Sequence, residues 1–319
     1  MSSEDRLCLA LDFGGTKLAA GLVNLDGGTL VTHVRAPTPV GGGAAGSLRT
    51  MFQLGDAALQ GLAGRPLHGA GVSFGGPVDA ATGTVLRSLH VAGWDQVPLA
   101  SLVSGHFGVV ARMDNDANAG ALGEWRFGVG RGSRCMAYYT LSTGVGGGII
   151  LGGTLFHGAT GVAGELGHVI VDRNGPPCPC GNRGCVEALC SGPAIARRAR
   201  EAVAQSSLPT LLRDVGGGEA SFTAATVAAA ASQGDAVALA VWREVADDLA
   251  VGMGNVVNVL NLDRIVIGGG VAQAGTLLLE PLRAALPRYV FPAAYEPLDV
   301  RLSCFGGTSG LYGAAALLL

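Results

Sequence analysis

Clustered lysine and arginine are missing from this sequence: 21 basic residues are outnumbered by 24 acidic ones, for a formal net charge of −3. Nucleic-acid binding draws on concentrated positive charge, so that class of partner has no electrostatic support. Long apolar runs are absent too. The mean hydropathy is positive, yet Gly, Asn, Asp or Arg interrupts each apolar stretch before the 18 or so residues of a membrane span are reached. The start, Met1-Ser2-Ser3-Glu4-Asp5-Arg6, lacks a basic segment leading into an apolar one, which gives the expectation of no signal peptide and a cytoplasmic protein. Dispersed cysteine pairs are also lacking. The 7 cysteines are odd in number, and four fall between Cys178 and Cys190. That clustering fits a metal site in a reducing compartment rather than a disulfide framework.

Glycine is plentiful, at 53 of 319 residues, and it stands in short groups between apolar segments. Such groups suit turns and close ligand approach. The chain exceeds what one hydrophobic core usually organises, so two domains sharing a cleft are expected, with a single large α/β domain as the alternative. Leu7–Asp12 reads as a buried strand ending in a carboxylate. After Phe13-Gly14-Gly15-Thr16-Lys17 come a strand over Leu18–Leu25, a turn at Asp26-Gly27-Gly28 and a strand over Thr29–Val34. The pattern recurs as a strand over Met136–Leu141, a loop over Ser142–Gly148, a strand over Ile149–Leu151, a turn at Gly152-Gly153 and a strand over Thr154–His157. Two such units predict an internal duplication. Other expected elements are helices over Leu48–Leu62 and Ala117–Phe127 and strands over Gly69–Ser73, Val109–Met113 and Arg264–Ile267. Helical spacing over Thr223–Leu260 breaks near Gln233-Gly234-Asp235, and Ser309–Leu319 reads as a terminal helix docking back on the body.

Four motifs carry chemistry. His168 with Cys178, Cys180 and Cys185 offers three thiolates and an imidazole, a tetrahedral set preferred by zinc; incidental buried thiols are the alternative, and Cys190 is a competing ligand better suited to a helix. Asp12 to Lys17 and Thr143 to Gly148 are glycine-rich loops whose N–H groups, with a carboxylate for Mg²⁺, suit phosphate binding, although either alone could be only a hairpin. Asp114-Asn115-Asp116-Ala117-Asn118 lies where a strand gives way to a helix. One of its polar residues serves as a cap, and a further carboxylate there suits proton acceptance from a hydroxyl. Glu165, next to Leu166-Gly167-His168, and Glu187 bracket the cysteine turn, as metal-orienting groups, solvated charges or acceptors for sugar hydroxyls.

In this order the pieces resemble the ROK family of sugar kinases and repressors, within the actin and hexokinase superfamily. The resemblance extends to Gly75-Gly76-Pro77-Val78-Asp79 and Ile267-Gly268-Gly269-Gly270, with one departure, since many members carry Pro between the two glycines of Gly75-Gly76. It implies a duplicated α/β fold of the actin/hexokinase-like (ribonuclease H-like) type, with two domains around a cleft. A small domain would span 1–117 with 308–319 docking back on it, and a large one 118–307 with the zinc site. The resemblance makes Asp116 the catalytic base and Gly75, Asn115, Asp116, Glu165, His168 and Glu187 the sugar-binding residues. It gives ATP-binding roles to Asp12, Gly14, Gly15, Thr16, Lys17, Thr143, Gly144, Gly268, Gly269 and Gly270, and makes His168, Cys178, Cys180 and Cys185 the ligands of a structural Zn²⁺. The implied activity is Mg²⁺- and ATP-dependent phosphorylation of a hexose at C6, glucose foremost, by a homodimer or homotetramer. N-acetylglucosamine, N-acetylmannosamine, fructose and allose are the alternative substrates. A sugar-responsive transcriptional regulator is a different class, disfavoured because only eleven residues precede Asp12 and no basic patch accompanies them. A catalytically silent sugar-binding protein is another, disfavoured by the presence of Asp116 and both loops.

Overall fold

The computed structural model describes residues 6–88, 91–215 and 218–319; residues 1–5, on which the signal-peptide expectation mostly rests, lie outside them. The chain opens with β1 (Leu7–Phe13), β2 (Lys17–Asn24) and β3 (Thr29–Pro37), then α1 (Gly43–Leu59), β4 (Leu67–Phe74), β5 (Val78–Asp79), β6 (Thr84–Val85), α2 (Leu99–Phe107) and β7 (Ala111–Asn115). α3 (Asp116–Phe127) leads to β8 (Cys135–Leu141), β9 (Val145–Leu151) and β10 (Thr154–Leu155). There follow α4 (Val186–Cys190), α5 (Gly192–Gln205), α6 (Ala224–Ser232), α7 (Ala236–Leu260), β11 (Arg264–Gly268), α8 (Thr276–Ala285), α9 (Pro292–Tyr295), β12 (Asp299–Leu302) and α10 (Ser309–Ala316).

The expected duplication is present as topology. One sheet has the order β3-β2-β1-β4-β7 and the other β10-β9-β8-β11-β12. In each, a three-stranded antiparallel meander is continued by two parallel strands. β1 is buried along its length because it lies mid-sheet between β2 and β4, whereas β3 alternates in exposure as an edge strand. Leu9 and Leu11 face Met51 of α1 and Val103 of α2, while Cys8 and Ala10 on the opposite face are covered by Leu311, Ala314 and Ala315 of α10. The second sheet buries Ala137, Tyr139 and Leu141 against a core that includes Trp242 and Leu249 of α7. Its other face, with Met136 and Tyr138, packs on Ala121 of α3.

α3 and α10 therefore lie between the two sheets, and they touch backbone to backbone. A Cβ added at Gly313 would stand 2.5 Å from the carbonyl carbon of Ala119. The helix break expected near residues 233–235 is where α6 ends. Gly234 takes a φ of 85°, and the Asp235 carboxylate accepts from Ala238 N at 2.9 Å to cap α7, a contact typically worth about 1 kcal/mol.

Several boundaries move from their expected positions. β7 spans Ala111–Asn115 rather than Val109–Met113, so it delivers Asp114 and Asn115 directly to the start of α3. The loop expected over 142–148 shortens to three residues, because Val145–Gly148 join β9 and pair in register with Leu141–Tyr138. The strand expected to reach His157 stops at Leu155, and the helix expected over 48–62 runs from Gly43 to Leu59, with a tighter turn over Gln60–Leu62.

Candidate active site

Asp12 stands next to the C-terminal end of β1, and its Oδ1 accepts from Ser73 Oγ of β4 at 3.0 Å. Burial drives its carboxyl above the usual range, opposed by Ser73 and by the charge of Lys17. On the far side it lies against the first turn of α10, since a Cβ at Gly310 would come within 2.3 Å of its carboxyl carbon. The loop Gly14–Thr16 then turns back into β2. Gly14 N donates to Lys17 O at 3.1 Å, Thr38 Oγ1 donates to Gly14 O at 2.8 Å, and Lys17 Nζ reaches Gly307 O at 2.9 Å.

β7 brings the second carboxylate to the same place. Asn115 caps α3, its Oδ1 accepting from Ala117 N at 2.9 Å while its Nδ2 donates to Gly76 O at 3.1 Å. Asp116 is the first helical residue, where a carboxylate is favoured by the helix dipole. Its Oδ1 accepts from Ala117 N at 2.9 Å, and its Oδ2 stands 3.5 Å from where a Cβ of Gly75 would be. Asp116 is exposed toward the cleft, but the cleft walls displace much of its water. That desolvation first, and repulsion from Asp12 second, push its carboxyl up to about 6.

Asp12, Lys17 and Asp116 line one cleft of about 320 Å³, together with Thr140 and Ser142 from β8 and its loop, Gly269, Gly270 and Gly306–Gly307. Both duplicated hairpins thus contribute to one cavity. Gly269 needs to be glycine: its φ is 86° and a Cβ would stand 2.3 Å from Leu141 O. Gly268 does not line this cleft. It is buried in β11 against the Tyr138 ring, so close that a Cβ there would stand 2.4 Å from the Tyr138 Oη, and its service is to packing. Thr143 opens instead, with Ser142 and Gly270, onto an adjoining apolar hollow of about 540 Å³ floored by Pro193, Phe222 and Val271. Gly14, Gly15 and Gly75 sit around a small crevice beneath Phe74 and Trp94, and Thr16 at the loop tip is exposed.

The cysteine turn joins the same region through Glu187. Its Oε2 accepts from Val145 N at 2.9 Å and lies 2.6 Å from where a Cβ of Gly144 would be, so Gly144 makes room for it. Its Oε1 faces Cys178 Sγ at 3.9 Å. His168 follows Glu165 in a tight turn; its Nδ1 is 3.6 Å from Cys178 Sγ and its Nε2 is 3.8 Å from Glu165 Oε2. Cys180 and Cys185 sulfurs are 3.7 Å apart, and the four potential ligand atoms all lie within 4.8 Å of one another. A tetrahedron with metal–sulfur bonds of about 2.3 Å has edges of about 3.8 Å, so the donor set fits a zinc ion. Cys190 is not part of it: buried at the end of α4, it points its thiol to Val245 O at 3.6 Å.

Ser73 and Gly310 stand outside the sequence expectations. Ser73 closes an expected strand beside Gly75-Gly76, which is a local signal; Gly310 has none, because only the return of α10 brings it to Asp12.

The model of the ROK family matches residues 8–319. The glucokinase of Thermotoga maritima is 34% identical over 97% of this chain and 96% of its own length. The glucokinase of Halalkalibacterium halodurans is 35% identical over 99% and 96%. Among solved structures, a ROK family glucokinase from Streptomyces griseus in complex with glucose and AMPPNP superposes with a TM-score of 0.82, at 35% identity and 98% coverage of both chains.

Proposed function

Because this chain belongs to the ROK family, with the actin-like sugar-kinase fold, we propose that it transfers the γ-phosphoryl group of ATP to the C6 hydroxyl of a hexose, glucose first. The observation that carries this is the cleft in which two carboxylates, Asp12 and Asp116, meet Lys17 at the end of the first glycine loop and Ser142 at the start of the second. Asp12 is backed by Ser73 and the α10 N-terminus, a setting for the Mg²⁺ that neutralises phosphate charge. Asp116 faces solvent with a carboxyl at about 6, ionised at neutral pH and matched to accepting a hydroxyl proton. Loss of that proton frees the sugar oxygen to form its bond to phosphorus as the bond to the β-phosphate oxygen breaks, and ADP leaves with the pair of electrons. The N–H groups of Gly15–Thr16, Thr143–Gly144 and Gly269–Gly270 serve the phosphates, with Gly14 holding the turn and Lys17 adding its charge, and the apolar hollow beside Thr143 suits the adenine.

Asn115, Gly75, Glu165, His168 and Glu187 are the proposed sugar contacts. Zinc on His168, Cys178, Cys180 and Cys185 supplies rigidity, since all four positions come from protein and none is open for water. Nδ1 of His168 faces the sulfurs, leaving Nε2 for a hydroxyl. The free thiols suit a reducing cytoplasm, and no helix among the described residues is long and apolar enough to cross a membrane. The working units are 1–117 with 308–319 and 118–307, closing over the sugar. Exposed Val259 and Phe291, joined through Asn258, support self-association as a dimer or tetramer.

A sugar panel assayed for ADP release tests the proposal. Glucose is expected to give the highest kcat/KM; preference for N-acetylglucosamine, N-acetylmannosamine, fructose or allose would reassign the substrate, and no turnover with any sugar would overturn the activity.

A further inference from the structure

Asp114 is the most enclosed carboxylate of the strand-to-helix junction, with 4% of its side chain accessible. Its Oδ1 accepts from Asn115 N at 2.7 Å and from Asn118 Nδ2 at 3.0 Å, so it braces the turn that presents Asn115 and Asp116. Its Oδ2 meets His157 Nε2 at 2.7 Å. A carboxylate accepts hydrogen bonds, so that ring nitrogen carries the proton and donates. Asp114 belongs to the first sheet, through β7, while His157 follows β10 of the second. The contact therefore crosses between the duplicated halves.

His157 also opens the segment that ends on Glu165. Its carbonyl accepts from Ala163 N at 3.1 Å, closing the intervening residues into a compact loop, and Gly164, which precedes Glu165, is seated against Gly147. The ring thus sits at one end of a short loop whose other end is a proposed sugar contact. An exposed ion pair would contribute little. Here Asp114 is almost fully buried while 39% of the His157 side chain is accessible, so removing the ring replaces a positioned donor by water from the cavity that both residues line and releases the tie between the two segments.

We infer that His157 is a positioning residue: by donating to Asp114 it sets the loop that carries Glu165 against the turn that carries Asn115 and Asp116. It is not a catalytic residue, for it lines a separate cavity of about 610 Å³ with Asp79, Thr160 and Leu86 rather than the phosphate cleft. The sugar part of this inference rests on the proposed function; the cross-link itself does not.

The test compares His157→Ala with His157→Gln, whose Nε2–H matches the reach of the imidazole Nε2–H. Kinetics with glucose and ATP are read alongside amide exchange of the substrate-free chain. His157→Ala is expected to raise the glucose KM by about tenfold, the scale of a hydrogen bond to a charged group, with the ATP KM within about twofold. His157→Gln is expected to restore most of that loss. Peptides covering 114–118 and 158–165 should exchange faster in His157→Ala and near wild type in His157→Gln. An unchanged glucose KM, equal rises for both substrates, or equal losses in both variants would overturn the inference. Should His157→Ala not fold, His157→Asn, too short to reach Asp114, takes its place with the same expectations. If the wild type phosphorylates no sugar, the proposed function fails, and the exchange measurement alone decides the cross-link.

Discussion

As the proposed base, Asp116 must be ionised to work, yet desolvation and the charge of Asp12 disfavour its ionised form, so activity and stability pull apart at this residue. Asp116→Asn keeps the shape and cannot take the proton, so kcat is expected to fall by at least about a hundredfold with the sugar KM changed far less. In the wild type, kcat/KM should decline as pH falls through about 6, where the carboxyl protonates. Stability runs the other way. The raised value means folding favours the protonated acid, a contribution complete below the unfolded value of about 3.9 and lost as pH rises through the folded one. The neutral variant is therefore expected to melt above wild type at pH 7.5, with the gain shrinking between pH 6 and 4. Thermal scans across that range check it, and no gain at pH 7.5 would mean the carboxylate is well accommodated. Asn115 and Asp116 are legible from sequence because a strand end, a cap and a helix start are local events. The partnership of Asp114 with His157 is not, since 43 positions separate them and an edge strand that ends at Leu155 is needed to aim the ring.

At the scale of elements, the turn from Cys178 to Cys185 feeds straight into α4, whose Glu187 holds the amide that opens β9. Loosening the turn should thus be felt in the second glycine loop. Zinc is proposed at one ion per chain, and Cys180→Ser is expected to abolish that binding and to weaken sugar binding with it, because metal affinity and local folding are coupled; metal analysis of wild type and variant beside calorimetric titration with glucose reads both. Full affinity in zinc-free protein would detach the turn from the sugar site. The buried strands and the α6–α7 break are readable because continuous apolar runs and a Gly-Asp pair are unambiguous over a few residues. α8 is absent from the sequence expectations, and it starts after Gly275 with no side-chain cap and carries Pro281 inside. α5 is absent from them despite a usable signal, Ser191 capping ahead of Gly192-Pro193. The glycines of β9 read as loop because nothing local reveals that β8 supplies a partner for each.

For the molecule as a whole, the two sheets meet through α3 and α10, which come backbone to backbone at Gly123 and Gly313, with the Phe127 and Tyr312 rings in contact beside them. Saturating glucose is expected to reduce the radius of gyration in small-angle scattering and to protect the chain from protease, as closure would exclude water from the phosphoryl transfer; identical profiles with and without sugar would argue that the cleft is already in its working shape. The same α10 has a bearing on how the protein is made. It covers Cys8, Ala10, Ala19 and Val23, yet it leaves the ribosome roughly 190 residues after β7, or about 10–40 s later at ordinary elongation rates. Throughout that interval the nascent first sheet shows water an apolar face, so the earliest-synthesised part of the chain is among the last to be finished and the natural client for a holding chaperone.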